Sequence, residues 1–471
     1  MSTSLTPSPV AVILAAGLGT RMKSETVKVL HRVAGRPLVF WPVELARAVG
    51  VRRIVAVLGH QIDAVRAALD ARYGAGAIGV AEQREPRGTG HALLQALPAL
   101  ADEPGEARVV VLSGDVPLLT QATVQKLLAC EGPVAVVTMR PAEPRGYGRM
   151  VRDAAGNLRK IVEEKDATPE VRALREVNAG IYAFRLDFLR EHLGSLRADN
   201  AQGELYLTDL IARAAEQHGD VATVEASAQE VAGANDRVDL SRLDALARQL
   251  INERWMREGV TMVAPESVCI EADVQGIGRD CELGPGVQLR GSTRLGARVK
   301  VDVGCVITDS TIEDAAFLKP YSVITESRIG ARAQIGPFAH CRPGSDLSED
   351  VHMGNFVETK KARLGPGAKA NHLAYLGDAE IGAKVNVGAG TITCNYDGKN
   401  KFVTTIEDGA FIGSDTQLVA PVRVGKGAYV GAGTTVTKDV PAGALAVSRA
   451  PQQNIEGWAE KKAKKDAANK K

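Results

Sequence analysis

Three stretches carry residue types suited to phosphate and metal chemistry. Leu14-Ala15-Ala16-Gly17 leads into Leu18-Gly19-Thr20-Arg21, Lys28 follows, and Ser113-Gly114-Asp115 closes a second apolar run far downstream. Successive backbone N–H groups in a glycine turn point at phosphate oxygens, and Arg21 and Lys28 add compensating positive charge. A carboxylate that follows a glycine at a strand end is placed to hold Mg²⁺. Taken singly, each has a plainer reading. The loop serves equally as a strand-to-helix turn, and Asp115 as an N-cap or Asx-turn aspartate. The spacing is not that of the G-x-x-x-x-G-K-S/T phosphate loop, and no third glycine completes a dinucleotide fingerprint.

The C-terminal half holds a different set: Arg342, Lys360, His372, Tyr375, Asn386, Asn395 and Tyr396. His372 lies in the polar segment Lys369 to Asp378. An imidazole with an ordinary pKa of ~6.5 can take the proton from an amine as that amine attacks a thioester, because only the neutral amine is a nucleophile. A lone histidine is otherwise a hydrogen-bonded surface or core residue.

The elements that must position these groups differ between the halves. Val10 to Leu14 is an apolar run feeding the glycine turn, and Val109 to Leu112 runs into Ser113-Gly114-Asp115. Other strand candidates lie at Arg53 to Leu58, Ile78 to Glu82, Val134 to Met139 and Gly180 to Phe184, with helical stretches such as Val43 to Val49 and Ile62 to Arg72 between them. Such alternation predicts a doubly wound, Rossmann-like α/β domain over residues 1–237, with ligands at the carboxyl ends of its strands. Leu240, Leu243, Leu246 and Leu250, interleaved with Arg and Glu, predict an amphipathic linker helix over 238–259.

From Ile277 an aliphatic residue recurs at every sixth position, through Leu283, Leu289, Leu295, Val301 and Ile307, and a second in-phase run goes from Ile406 to Val436. Period six fits neither a helix nor a hairpin. It fits an all-β parallel solenoid over 260–471, in which each short strand stacks on its equivalent one coil away. At about eighteen residues per coil, Ile277 to Pro441 makes about nine coils, and Arg342 to Tyr396 falls within about three. The loop Asn395 to Phe402 breaks the beat, and after Gln452 a lysine-rich end, Lys461 to Lys471, is predicted to be a solvated tail.

Composition bounds the partners. The 471 residues carry 58 Lys plus Arg against 56 Asp plus Glu, a net charge of +2, which supplies no argument for nucleic acid. The six cysteines are scattered without zinc spacing, and no apolar stretch approaches the ~20 residues of a membrane span. A cytoplasmic protein without stable membrane association is expected. The 4% aromatic content suits a narrow solenoid interior.

The stretch from Leu14 to Met22, with Lys28 and Gly114-Asp115, resembles the sugar-1-phosphate nucleotidylyltransferases. Gln83 with Gly88-Thr89-Gly90-His91-Ala92, then Gly146-Tyr147-Gly148-Arg149, Ile161-Val162-Glu163-Glu164-Lys165, Asn178-Ala179-Gly180-Ile181 and Gly233-Ala234-Asn235, resemble the uridylyltransferase domain of bacterial UDP-N-acetylglucosamine pyrophosphorylases. The hexads resemble the left-handed β-helix acyltransferases. Within them Arg342-Pro343-Gly344, Gly354-Asn355-Phe356, the His372 to Asp378 segment, Asn386 to Thr391, Asn395-Tyr396-Asp397-Gly398 and Gly413-Ser414-Asp415 resemble glucosamine-1-phosphate N-acetyltransferase. In one bifunctional bacterial family the two domains are fused in this order, and the likeness runs from about Val10 to Trp458.

That resemblance implies roles. Leu14, Ala15, Ala16, Gly17, Gln83, Gly88 and Thr89 would hold the uridine nucleotide, with Arg21, Lys28, Ser113 and Gly114 around its phosphates. Gly148, Glu163 and Asn178 would hold the sugar, and Asp115 and Asn235 would share Mg²⁺. Val27 stands where the family usually has a proline before the lysine, so the preset backbone angle ahead of Lys28 is absent. In the solenoid Arg342 and Lys360 would bind the sugar phosphate, Tyr375 and Asn386 orient the sugar, and His372 act as base. Ala389, Asn395, Tyr396, Ser414, Ala432 and Arg449 would contact acetyl-CoA. The family forms homotrimers in which neighbouring solenoids complete each acetyl-transfer site. The expected substrates are glucosamine-1-phosphate, acetyl-CoA, N-acetylglucosamine-1-phosphate and UTP. Two rival readings remain, a nucleotidyltransferase whose solenoid only assembles or regulates it, and a non-catalytic sugar-nucleotide scaffold. His372 with Lys360 and Arg342 argues against the first, and Gly114-Asp115 with Lys28 and Asn235 against the second.

Overall fold

Val10–Ala15 (β1) is apolar along its length and almost wholly buried, the signature of a strand covered on both faces. The computed structural model describes residues 8–448 and 451–469. Around β1 the chain lays down Arg53–Leu58 (β2), Gly79–Glu82 (β3), Arg108–Ser113 (β4), Val134–Met139 (β5), Arg149–Arg152 (β6), Leu158–Val162 (β7), Val177–Arg185 (β8) and Ala222–Glu225 (β9). They form one sheet in the order β9-β5-β8-β4-β1-β2-β3, with the β6–β7 hairpin attached through β8. β1 lies parallel to both β2 and β4, and β8 runs antiparallel between β4 and β5. Because β1 is flanked by the strands that follow it in opposite directions along the sheet, a crevice opens at the carboxyl ends of β1 and β4.

Helices cover both faces. Phe40–Ala48 (α1), Ile62–Tyr73 (α2) and Gln121–Ala129 (α3) contribute Val43, Val65 and Val124 to one apolar cluster with Ile13 and Leu112. Thr89–Ala96 and Asp209–His218 contribute Leu93 and Leu210 to the other, with Val12 and Val111. Alternate residues of each strand thus point into separate clusters, as the strand period of two requires.

The chain clusters into two units that divide between Ile251 and Asn252, inside the helix Arg237–Arg257. The buried face of this helix differs from expectation: Leu243 and Ala247 are buried, whereas Leu250 is 48% exposed.

Beyond the helix three parallel sheets of 11, 10 and 9 short strands run side by side in repeated order. Each strand pairs with its equivalent one coil on, as in Leu283 with Val301, Val301 with Leu318 and Leu318 with Ile335. These aliphatics are buried and form a continuous stack. Val301 to Leu318 is a step of seventeen residues (318 − 301) and Ile412 to Val430 one of eighteen (430 − 412), so the slips seen in the hexads are short corners that preserve the stack. Val387 to Ile412 takes 25 (412 − 387), because the loop after Ile392–Cys394 inserts there. A bridge between Tyr396 and Lys401 closes that loop into a small hairpin. In the C-terminal stretch Trp458–Ala468 is a helix whose residues are all exposed. Lys470 and Lys471 lie outside the described residues. No helix among the described residues is long and apolar enough to cross a membrane.

Candidate active sites

At the carboxyl end of β1 the chain turns through Gly19, whose φ of +61° is the left-handed backbone that glycine adopts at no steric cost. A Cβ on Gly19 would fall 2.5 Å from the Cβ of Lys28, so the missing side chain also lets the Lys28 segment approach. At the end of β4, Gly114 donates its N–H to the Leu14 carbonyl at 2.9 Å, and a Cβ there would fall 2.9 Å from that of Ala15. The two turns are thereby drawn together, and Lys28 Nζ meets Asp115 Oδ2 at 2.5 Å.

Asn235 reaches the same place from another element. The Ala234 N–H donates to the Asp115 carbonyl at 3.2 Å, Arg237 Nε donates to the Met22 carbonyl at 3.1 Å, and the Asn235 N–H donates to Asp239 at 3.3 Å. Asn235 Oδ1 accepts from Arg21 at 2.9 Å. A carboxylate and an amide oxygen therefore stand in adjoining segments, each held by a cation. This donor set fits Mg²⁺, which takes few protein oxygens and completes its octahedron with water and substrate phosphate.

A cavity of about 390 Å³ opens beside this pair. Leu14, Ala15, Ala16, Gly17, Lys28, Gln83, Gly88, Thr89, Ser113, Asp115, Glu163 and Asn178 line it, twelve of the residues expected from sequence. Arg21, Gly114, Gly148 and Asn235 are not among the residues that line it. Gly148 is packed so closely that a Cβ would fall 2.8 Å from Ile161 and 3.4 Å from the Glu163 carboxylate. Gln83, 6% exposed, donates Nε2–H to the Gly88 carbonyl at 3.0 Å.

Glu163, Asn178 and Thr208 add polar groups to the lining. Burial raises the Glu163 carboxyl above the ordinary glutamate value; a 3.1 Å hydrogen bond from Thr208 opposes the shift, and Asp166, Asp209 and Glu204 reinforce it. Asn178 donates to the Tyr182 hydroxyl at 2.7 Å and accepts from the Gly180 N–H at 2.9 Å. Tyr182 and Thr208 also line the cavity. Neither was marked by a motif: Tyr182 reads as one apolar residue of β8, and Thr208 stands apart from every glycine-rich stretch.

In the solenoid the second set gathers along adjacent rungs. Asn355 pairs across the ladder with His372, and Asn355 Oδ1 lies 2.8 Å from His372 Nδ1. A side-chain amide oxygen only accepts, so Nδ1 carries the proton, and in the neutral ring Nε2 keeps its lone pair. His372 is exposed. Asn386 stacks on Lys369 one coil further on, and Tyr375 stacks on Glu358.

Arg342 and Lys360 face the same region with a partner that sequence reading did not identify. Lys401, from the inserted hairpin, contacts the Lys360 side chain and lowers its pKa by that contact and by its charge, to which Arg342 adds. Arg342 is held by Glu358 at 2.8 Å. Three cations so close together, balanced by Asp378 and Glu358, suit a dianionic phosphate. Nothing in the local pattern singles out Lys401 among the basic residues of the loop.

Of the residues expected at acetyl-CoA, Ala389 and Ser414 lie on successive rungs, their carbonyls accepting from Asp415 at 2.7 Å and Gly433 at 2.8 Å. Ala432 borders the same column, where a Cβ on Gly413 would meet its nitrogen. Tyr396 is exposed, with its hydroxyl donating to the Gly398 carbonyl at 2.6 Å. The Asn395 side chain differs: it is 7% exposed and donates to Asp378 at 2.5 Å, which ties the hairpin to the neighbouring rung. Arg449 lies outside the described residues.

Comparison with known proteins agrees with both halves. Residues 11–179 match the family described as MobA-like NTP transferase domain, and residues 404–438 match bacterial transferase hexapeptide (six repeats). The three-sheet solenoid is accordingly the left-handed parallel β-helix of that hexapeptide class. The chain is 50% identical over 458 residues to the bifunctional protein GlmU of Trichlorobacter lovleyi, covering 96% of this chain and 98% of the relative. It is 51% identical to that of an Anaeromyxobacter species (99% and 96% covered) and 49% identical to that of Sorangium cellulosum (100% of each). With an NTP-transferase sheet and a hexapeptide solenoid in one chain, and half of all residues shared end to end, this protein belongs to the bifunctional GlmU family.

Proposed function

We propose that the chain makes UDP-N-acetylglucosamine in two consecutive reactions, acetyl transfer in the solenoid and then uridylyl transfer in the crevice of the α/β unit. The observation that carries this reading is the presence in one chain of the Lys28–Asp115 pair at the strand ends and the His372–Asn355 rung.

In the solenoid Arg342, Lys360 and Lys401 hold the phosphate of glucosamine-1-phosphate, and Tyr375 and Asn386 orient its ring. His372 Nε2 takes a proton from the sugar amine as nitrogen attacks the thioester carbonyl of acetyl-CoA. The carbon–sulfur bond then breaks, and the CoA sulfur leaves and is protonated. Asn355 fixes the tautomer and the ring orientation, which makes it a positioning residue. Ala389, Asn395, Tyr396, Ser414, Ala432 and Arg449 are proposed to border the acetyl-CoA path. Because His372 is exposed in a single chain, a neighbouring solenoid is proposed to close the site, in a homotrimer. The exposed ladder of Tyr321, Phe338 and Phe356, with ring centroids 5.5 Å apart, is apolar surface that such a neighbour would cover.

In the crevice the phosphate oxygen of N-acetylglucosamine-1-phosphate attacks the α-phosphorus of UTP in line, and pyrophosphate leaves. Gln83, Gly88 and Thr89 receive the base, and Glu163 and Asn178 receive the sugar. Asp115 and Asn235 would hold Mg²⁺, which would supply charge neutralisation at the phosphates. Lys28 and Arg21, beside those two residues, offer positive charge to the triphosphate and to the charge that develops between attacking and leaving oxygens. Cytoplasmic pools of UTP and acetyl-CoA supply both reactions.

Metal removal separates the two chemistries. With glucosamine-1-phosphate, acetyl-CoA and UTP all present, EDTA is expected to stop pyrophosphate release while free CoA thiol appears at a rate within about twofold of the untreated protein. Loss of thiol release on chelation would refute the metal-free assignment of the solenoid site.

A further inference from the structure

His91 belongs to none of the roles above, yet it is wired to the residue that receives the base. Gln83 Nε2 lies 3.0 Å from the Gly88 carbonyl and 3.1 Å from His91 Nδ1, and His91 Nε2 lies 3.2 Å from the Gln95 side-chain amide. The Gly88 carbonyl can only accept, so the Gln83 atom beside it is the NH₂ group. That group has two hydrogens. One goes to Gly88, and the other meets His91 Nδ1, which must therefore be the unprotonated ring nitrogen. His91 Nε2 then carries the proton, and a half-turn of the Gln95 amide presents its oxygen to receive it.

With both N–H bonds of Gln83 engaged, its carbonyl oxygen is the group left for the cavity that Gln83 lines. A lone acceptor there selects a base with a donor at the facing edge. Uracil presents N3–H, whereas cytosine presents an unprotonated N3 whose lone pair would face the amide oxygen.

We infer that His91 is a positioning and specificity-determining residue, which locks the Gln83 amide with its oxygen toward the base and so sets the preference for uracil over cytosine. The inference rests on the uridylyltransferase reading of the crevice. Without His91 the second N–H of Gln83 loses its partner, and the amide is free to turn its NH₂ group to the base.

The test measures kcat/KM for UTP and for CTP in pyrophosphate release by wild type, His91→Leu and His91→Asn. Asn places an acceptor oxygen close to where Nδ1 stood. His91→Leu is expected to reduce the UTP-to-CTP ratio at least about tenfold, and His91→Asn to keep most of it. A thermal unfolding transition of the full chain that matches wild type in both variants reports that the α/β unit is folded. A ratio that stays at the wild-type value in His91→Leu, or rates that fall in parallel for both nucleotides in both variants, would overturn the inference. A wild-type protein with no preference for UTP would instead overturn the reading of the crevice on which it rests.

Discussion

Asp115→Asn is expected to lower uridylyl transfer by roughly three orders of magnitude while acetyl transfer stays within about twofold of wild type. The substitution keeps the shape of the side chain and removes its charge. Two things are lost together: the carboxylate that would hold Mg²⁺ beside Asn235, and the anion that holds Lys28 at 2.5 Å in the free protein. The Gly114 N–H bonds the Leu14 carbonyl at 2.9 Å and the Ala234 N–H bonds the Asp115 carbonyl at 3.2 Å, both through backbone atoms, so the turn keeps its form. The loss should therefore appear in kcat for pyrophosphate release, with little change in thermal stability. A variant that merely misfolded locally would lower the melting temperature as well.

His372→Ala is expected to have the opposite profile, with acetyl transfer reduced by roughly 10² to 10⁴ and uridylyl transfer unaffected. His372 is exposed and its ring contacts Asn355, itself only partly buried, so its removal opens no cavity and strands no buried group among the described residues. Stability should remain within about 0.5 kcal/mol of wild type. Thiol release from acetyl-CoA reads the effect directly. Since the base matters only while the amine is being deprotonated, the deficit should appear in kcat more than in KM for either substrate.

Legibility in the sequence followed burial. Arg53–Leu58 and Val134–Met139 begin and end where their apolar runs do, because both strands lie inside the sheet with both faces covered. Arg149–Arg152 and Leu158–Val162 escaped notice because a charged hairpin attached at one point of the sheet has no such run. The helix Thr89–Ala96 was hidden behind its own first turn, since Gly88-Thr89-Gly90 looks like a ligand loop and is also the helix start. In the solenoid one buried aliphatic per strand repeats for the whole length, so the architecture was plain while the exact corner lengths were not.

The sites divide along the same line. Residues in glycine-rich turns were found because close backbone approach demands particular residue types there. Thr208, Tyr182, Asn355 and Lys401 come from elements whose local sequence has ordinary explanations, and only the folded chain brings them to Glu163, Asn178, His372 and Lys360.

The central claim is that two separate sites in one chain act in sequence on a shared intermediate. It is tested most directly by mixing His372→Ala with Asp115→Asn in equal amounts and following UDP-N-acetylglucosamine formation from glucosamine-1-phosphate, acetyl-CoA and UTP. Each variant alone is predicted to make almost none, and the mixture to restore product, because N-acetylglucosamine-1-phosphate made by one is consumed by the other. A mixture that remains inactive, or either variant found to have lost both half-reactions, would contradict the account.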